Sequence, residues 1–103
     1  MSETVKLIGD AWTLLILWSA MRGVTRFDCF QRRLGLARNI LSNRLGRLVA
    51  AGLMEKRPVH PGARRMEYRL TARGRALGPV LKHVEAWGRE HFESAGGVAA
   101  DQR

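Results

Sequence analysis

Over residues 38–51 the apolar positions Leu41, Leu45, Leu48 and Val49 return at helical spacing, with small and polar residues in the turns between them. That period predicts one amphipathic helix, and Gly and Pro punctuate the rest of the chain into further pieces. Residues 5–8 close a short first helix that Gly9 interrupts. Asp10 is placed to cap a second helix over 11–22, with Gly23 just past its end. This helix is apolar nearly all round (Trp12, Leu14, Leu15, Ile16, Leu17, Trp18, Met21), as expected of one buried centrally or shared with a partner. Thr25 is expected to cap a third helix over 26–34, with Phe27, Phe30 and Leu34 on one side and Gly35 beyond it. After Gly52 the period shortens to two. Residues 53–59 and 65–70 read as strands, and in the second Met66, Tyr68 and Leu70 alternate with Arg65, Glu67 and Arg69. His60-Pro61-Gly62-Ala63-Arg64 is the turn between them. Thr71 is expected to cap a last helix running to about Phe92, kinked at Gly78-Pro79, with Leu77, Val80, Leu81, Val84 and Trp87 as an apolar stripe. From Ser94 on, Gly, Ala and polar residues predict a frayed tail, so one domain over 1–93 precedes a flexible segment at 94–103.

The predicted class is mainly α with a small β-hairpin. The third and fourth helices, joined by a short turn containing Gly, make a helix-turn-helix. Projected at about 100° per residue, the fourth helix gathers Asn39, Ser42, Asn43, Gly46 and Ala50 opposite its leucines. Arg47 stands beside that face, Arg38 at its N-terminal end, and Arg44 on its flank, where it is expected to reach a phosphate or the major-groove edge of a guanine. Ordinary solvated helices carry Glu and Lys outside, because they are good helix formers, whereas Asn, Ser and Gly are poor ones. From Gly35 to Ala51 there is no acidic residue. Phosphates would repel acids, small side chains let a backbone approach closely, and an Asn amide pairs with adenine. The face therefore points to the major groove of duplex DNA. The competing reading leaves Asn39 and Ser42 merely exposed and pairs Arg44 with Glu55 or Asp28.

Charge supports the groove reading. The 103 residues carry 18 Lys plus Arg against 9 Asp plus Glu, a net +9, and most of the cations are Arg, whose fork suits phosphates and guanine edges. His60, Arg64 and Arg65 at the hairpin tip, with Arg26, Gln31 and Arg32 on the third helix, are expected to hold the DNA backbone and position the protein without reading sequence.

Other chemistries find less support. His60, His83 and His91 are scattered, with no third ligand at metal spacing, and no nucleophile–base ordering or Gly-rich phosphate loop stands out. No enzyme activity, metal or cofactor is expected. A protein-interaction or RNA-binding module is the alternative. Against it, the outer face of the fourth helix lacks apolar anchors, and the aromatics fall on apolar faces rather than in a stacking row. One cysteine, Cys29, precludes an internal disulfide and reads as a small helix-packing residue. No signal peptide or membrane-length apolar run is visible, so a cytoplasmic location is expected.

Several spaced motifs share an order with a known family. Ile8-Gly9-Asp10-Ala11-Trp12-Thr13-Leu14-Leu15-Ile16-Leu17, Arg26-Phe27, Leu41-Ser42-Asn43-Arg44-Leu45, Ala51-Gly52-Leu53 and Met66-Glu67-Tyr68-Arg69-Leu70-Thr71 with Gly74, closed by Trp87, resemble the HxlR-type transcriptional regulators over roughly residues 5 to 90. The resemblance implies a winged helix-turn-helix that dimerises through its first and last helices. Each protomer would set one recognition helix in a pseudo-palindromic operator. It implies a sequence-specific regulator, expected to repress. Between the second and last helices, near Trp12, Trp18 and Trp87, a pocket could hold a small-molecule effector. Val5 and Ile8 with Val80, Leu81, Val84 and Trp87 are the expected dimer residues, more apolar surface than one small domain needs. Two features depart from the family. Ala37 and Arg38 stand where Ser then Pro is frequent, and no Cys precedes the Ile-Gly motif, where some members sense oxidants.

Overall fold

Asp10 sets the frame of the molecule. Its backbone is extended, and its carboxylate accepts the Trp12 backbone N–H at 2.8 Å, so that helix α2 (Ala11–Met21) starts at Ala11. The computed structural model describes residues 2–93. Ahead of α2 lies α1 (Ser2–Ile8). Behind it come α3 (Phe27–Leu34), α4 (Arg38–Ala50), strands β1 (Met54–Pro58) and β2 (Met66–Leu70), a single turn α5 (Ala72–Arg75), and α6 (Gly78–Gly88) running into a π-helical turn, Arg89–Glu93. This is a helix-turn-helix followed by an antiparallel wing. The tail expected over 94–103 lies outside the described residues, as do the side chains of Val5 and Ile8.

The core forms where α2, α3 and α4 cross. Ile16, Leu17, Phe30, Leu41, Leu45 and Leu48 are fully buried there, and Leu36 from the α3–α4 turn, Leu53 and Met54 from the wing root, and Leu81 from α6 extend the cluster. Each such leucine taken out of water contributes roughly 2 kcal/mol. The i, i+4, i+7 spacing of Leu41, Leu45 and Leu48 puts all three on the inner side of α4, which leaves Asn39, Ser42 and Asn43 outside.

The wing is tied down at its root. β1 pairs with β2 in the register Met54↔Leu70 to Pro58↔Met66, and the Tyr68 N–H donates to the Thr25 carbonyl at 2.7 Å. The Thr71 hydroxyl donates to the Gly52 carbonyl at 2.6 Å and accepts the Gly74 N–H at 3.1 Å. Gly74 is buried so closely that a Cβ would run into the Leu53 carbonyl oxygen.

Four local expectations are corrected. Thr25 does not cap α3; Arg26 holds the N-cap position without a side-chain hydrogen bond, because the Thr25 backbone is engaged by the wing. The last helix is not one kinked rod but two helices separated at Ala76 and Leu77. Pro79 in the first turn of α6 has no N–H to continue the ladder, and a proline ring crowds the carbonyl four residues back. Glu67 is not a freely solvated strand residue, since its side chain is only 13% exposed and lies 3.5 Å from Arg69. Leu81 is 7% exposed and belongs to the protomer's own core, so it is withdrawn from the dimer face. Ala37 caps α4 with no side-chain hydrogen bond, as the missing Ser implies.

Candidate nucleic-acid interface

Asn39, Ser42, Asn43, Gly46 and Ala50 are exposed on one side of α4, and Arg38 and Arg47 are exposed with them. Asn39 is exposed, and among the described residues its side chain makes no hydrogen bond. A groove of about 540 Å³ runs between this face and the wing. Arg38, Asn39 and Ser42 form one wall, Lys56, Met66 and Tyr68 the other, with Phe27 at its end. Lys56 went unnoticed in the sequence. It faces Tyr68 across the hairpin, with its ammonium 5.7 Å from that ring, and the alternation of β1 was the signal that could have found it.

The cations converge as expected in part. Arg26, Arg32, Arg38 and Arg65 line a second groove of about 360 Å³ with Phe27, Asp28, Cys29 and Met66, so three of the expected backbone contacts stand beside the start of α4. The Arg38 guanidinium lies 4.7 Å over the Phe27 ring and 3.5 Å from Asp28, a solvent-exposed pair of small net value. His60, Arg64 and Arg65 are exposed at and beside the hairpin tip, where Gly62 takes φ 82 to close the turn. Gln31 is otherwise employed. Its amide N–H donates to the Leu36 carbonyl at 3.3 Å and its carbonyl accepts from Arg38 at 3.1 Å, bracing the α3–α4 turn.

Arg44 is held neither by Glu55 nor by Asp28. Its Nε donates to Asp10 Oδ2 at 2.7 Å, and both side chains are mostly covered, 25% and 19% exposed. Its Nη1 donates to Asn43 Oδ1 at 3.0 Å. Arg47 lies 3.9 Å from the same Asp10 oxygen and donates to the Lys6 carbonyl at 3.4 Å, which attaches α1. Burial works to raise the Asp10 pKa, but the Trp12 N–H and the Arg44 guanidinium outweigh it and hold the carboxyl below its ordinary value. The Asp10 carboxylate is therefore ionised at neutral pH, where it holds Arg44.

On α2 and α6 large apolar side chains remain uncovered. Trp12 is 38%, Leu15 43%, Val80 47%, Val84 59% and Trp87 54% exposed, with Phe92 against the Trp87 ring. Trp12 and Trp87 are thus not core residues of the protomer. Beside them, α2 and α6 border a groove of about 810 Å³ lined by Trp18, Met21 and Pro79, with Arg22, Lys82 and His83 at its rim. The histidines stay apart, and no cluster of three metal-ligating side chains occurs among the described residues. No helix among these residues is long and apolar enough to cross a membrane.

A helix-turn-helix with an outward amide face, followed by a basic two-stranded hairpin, defines a winged helix-turn-helix protein. Residues 7–95 match the model of the HxlR-like helix-turn-helix family, and the chain belongs to that family. It is 42% identical over 90 residues to an uncharacterised HTH-type transcriptional regulator of Mycobacterium bovis, covering 87% of this chain and 57% of that one. The chain thus spans little more than half the length of the mycobacterial relatives it matches. Among solved structures it is similar to PA1607, a candidate transcription factor (48% identity, TM-score 0.80, covering 85% of this chain and 61% of that one). It is also similar to quinone-bound YodB of B. subtilis (26% identity, TM-score 0.74, covering 87% and 96%). The family and these relatives are transcriptional regulators rather than enzymes.

Proposed function

We propose that the chain binds duplex DNA sequence-specifically and regulates transcription as a homodimer on a pseudo-palindromic operator, with repression as its mode. Asn39, Ser42 and Asn43 read base edges in the major groove, with Arg38 at the groove entrance. Arg26, Arg32, Lys56, His60, Arg64 and Arg65 hold the phosphates on either side. The observation that carries this reading is the composition of the α4 outer face, amide and hydroxyl side chains without an acid, opening directly onto a cation-lined groove. An RNA-binding or protein-interaction module fits less well, since that face carries no aromatic for stacking and no apolar anchor.

The dimer is supported by the uncovered apolar surface on α2 and α6, where Val80, Val84 and Trp87 stand out from a chain whose core is already closed. The groove between α2 and α6 suits a small effector. A related regulator, YodB, has been solved bound to a quinone, and this groove adjoins the surface assigned to the dimer.

A salt series on duplex DNA tests the reading. Affinity should fall linearly in log–log form with a slope of about −4.5 per protomer, at about 0.9 per phosphate neutralised by the five Arg and Lys contacts. A flat response would exclude backbone binding by this surface.

A further inference from the structure

Asp10 spends its two carboxylate oxygens on two elements. Oδ1 caps α2 through the Trp12 N–H, and Oδ2 receives the Arg44 Nε–H from α4 at 2.7 Å. Arg44, fixed in this way, reaches Asn43 with its remaining fork, Nη1 to Oδ1 at 3.0 Å. A guanidinium only donates hydrogen bonds, so the Asn43 atom facing it is the amide carbonyl oxygen. The Asn43 NH2 group therefore turns toward solvent, on the exposed face of α4. Asn39, one turn earlier on that face, has no such constraint.

Resting on the DNA-reading assignment above, we infer that Asp10 and Arg44 are positioning residues that fix Asn43 as a hydrogen-bond donor, so that Asn43 selects a base edge presenting acceptors. Pairing with adenine requires an Asn to accept from N6 and donate to N7 at once, and the plane of the amide must be free to align both atoms. Asn43 lacks that freedom. Guanine, with N7 and O6 side by side, is its best partner, thymine O4 a poorer one, and cytosine, which offers only an N4 donor, is rejected. Asn39 keeps both halves of its amide and is the residue suited to adenine. Arg44 contributes to specificity through Asn43, with its Nε held by Asp10 and one fork nitrogen on Asn43.

The test is selection of bound sequences from a random duplex pool by the whole chain and by Asp10→Asn, Arg44→Lys and Asn43→Ala. Asparagine caps a helix as well as aspartate, so Asp10→Asn keeps the start of α2 and removes only the charge that holds Arg44. Lysine at 44 retains a cation for Asp10 but cannot fork to Asn43 as well. Far-UV circular dichroism confirms that each variant is folded, and Arg44→Lys carries the test if Asp10→Asn is not. The position that loses its preference in Asn43→Ala should favour guanine over adenine in the wild type by about tenfold, the size of one base contact. In Asp10→Asn and Arg44→Lys that preference should collapse toward adenine or evenness while every other position keeps its own. Wild-type preference for adenine there, or guanine preference unaltered in both positioning variants, overturns the relay and leaves the reading face standing. Unaltered preferences in Asn43→Ala overturn the relay and remove Asn43 from the reading set; only if Asn39→Ala is unaltered as well does the reading face fall with it.

Discussion

Ala37 occupies the N-cap of α4 with φ −63 and ψ 147, the extended geometry a cap requires, yet has no oxygen to offer the free N–H groups of the first turn. Serine there should raise stability by about 1 kcal/mol, a shift of roughly 4–8 °C in the thermal midpoint for a domain of this size. Calorimetry of Ala37→Ser checks this, and an unchanged or lower midpoint would mean that water or a neighbour already serves those groups. Single residues were legible wherever helical spacing alone determines their side. Asn39, Ser42 and Asn43 lie outside α4 and Leu41, Leu45 and Leu48 inside, as the projection requires. Arg44 was not legible, because its partner is 34 positions away in sequence and Asp10 looked fully used as a cap. A carboxylate has two oxygens, and the second was the missing clue. Gln31 was misleading for the same reason, since its partners Leu36 and Arg38 come together only once the α3–α4 turn closes.

At the scale of elements, periodicity located α2, α3, α4 and both strands but merged α5 and α6 into one helix, and the ends depended on contacts from other parts of the chain. Thr25 has the right chemistry to cap α3, but the Tyr68 N–H takes its carbonyl and the helix begins two residues later. Gly78-Pro79 announced a disturbance without saying whether the helix would bend or break. It breaks because α5 is committed to the wing root: the Thr71 hydroxyl bridges the Gly52 carbonyl and the Gly74 N–H, and Gly74 packs on the Leu53 carbonyl. α6 then leaves in a direction set by Leu81 in the core, a residue whose place in the apolar stripe disguised its inward role. The stripe divides accordingly. Leu81 serves the fold, and Val80, Val84 and Trp87 stay exposed on the surface proposed for the second protomer.

For the whole molecule, the two exposed surfaces lie on different elements, with α4 and the wing offering polar and cationic groups and α2 and α6 offering apolar ones. Joining two copies through α2 and α6 would leave both α4 faces free, as a two-fold operator demands. Trp87→Glu, which places a charge at the centre of the apolar surface without entering the core, should convert the dimer to a folded monomer in sedimentation equilibrium. A Trp87→Glu protein of dimeric mass would move the interface elsewhere. The monomer should also bind a full operator far more weakly than the dimer, because the second half-site is no longer held at high effective concentration. The central claim, that the outer face of α4 reads base sequence, is tested most directly by comparing the sequences selected from a random duplex pool by wild type, Asn39→Ala and Asn43→Ala. Each variant should lose preference at one position per half-site and keep the remainder of the operator. Two variants selecting the same sequences as wild type would contradict the claim and assign reading to another surface.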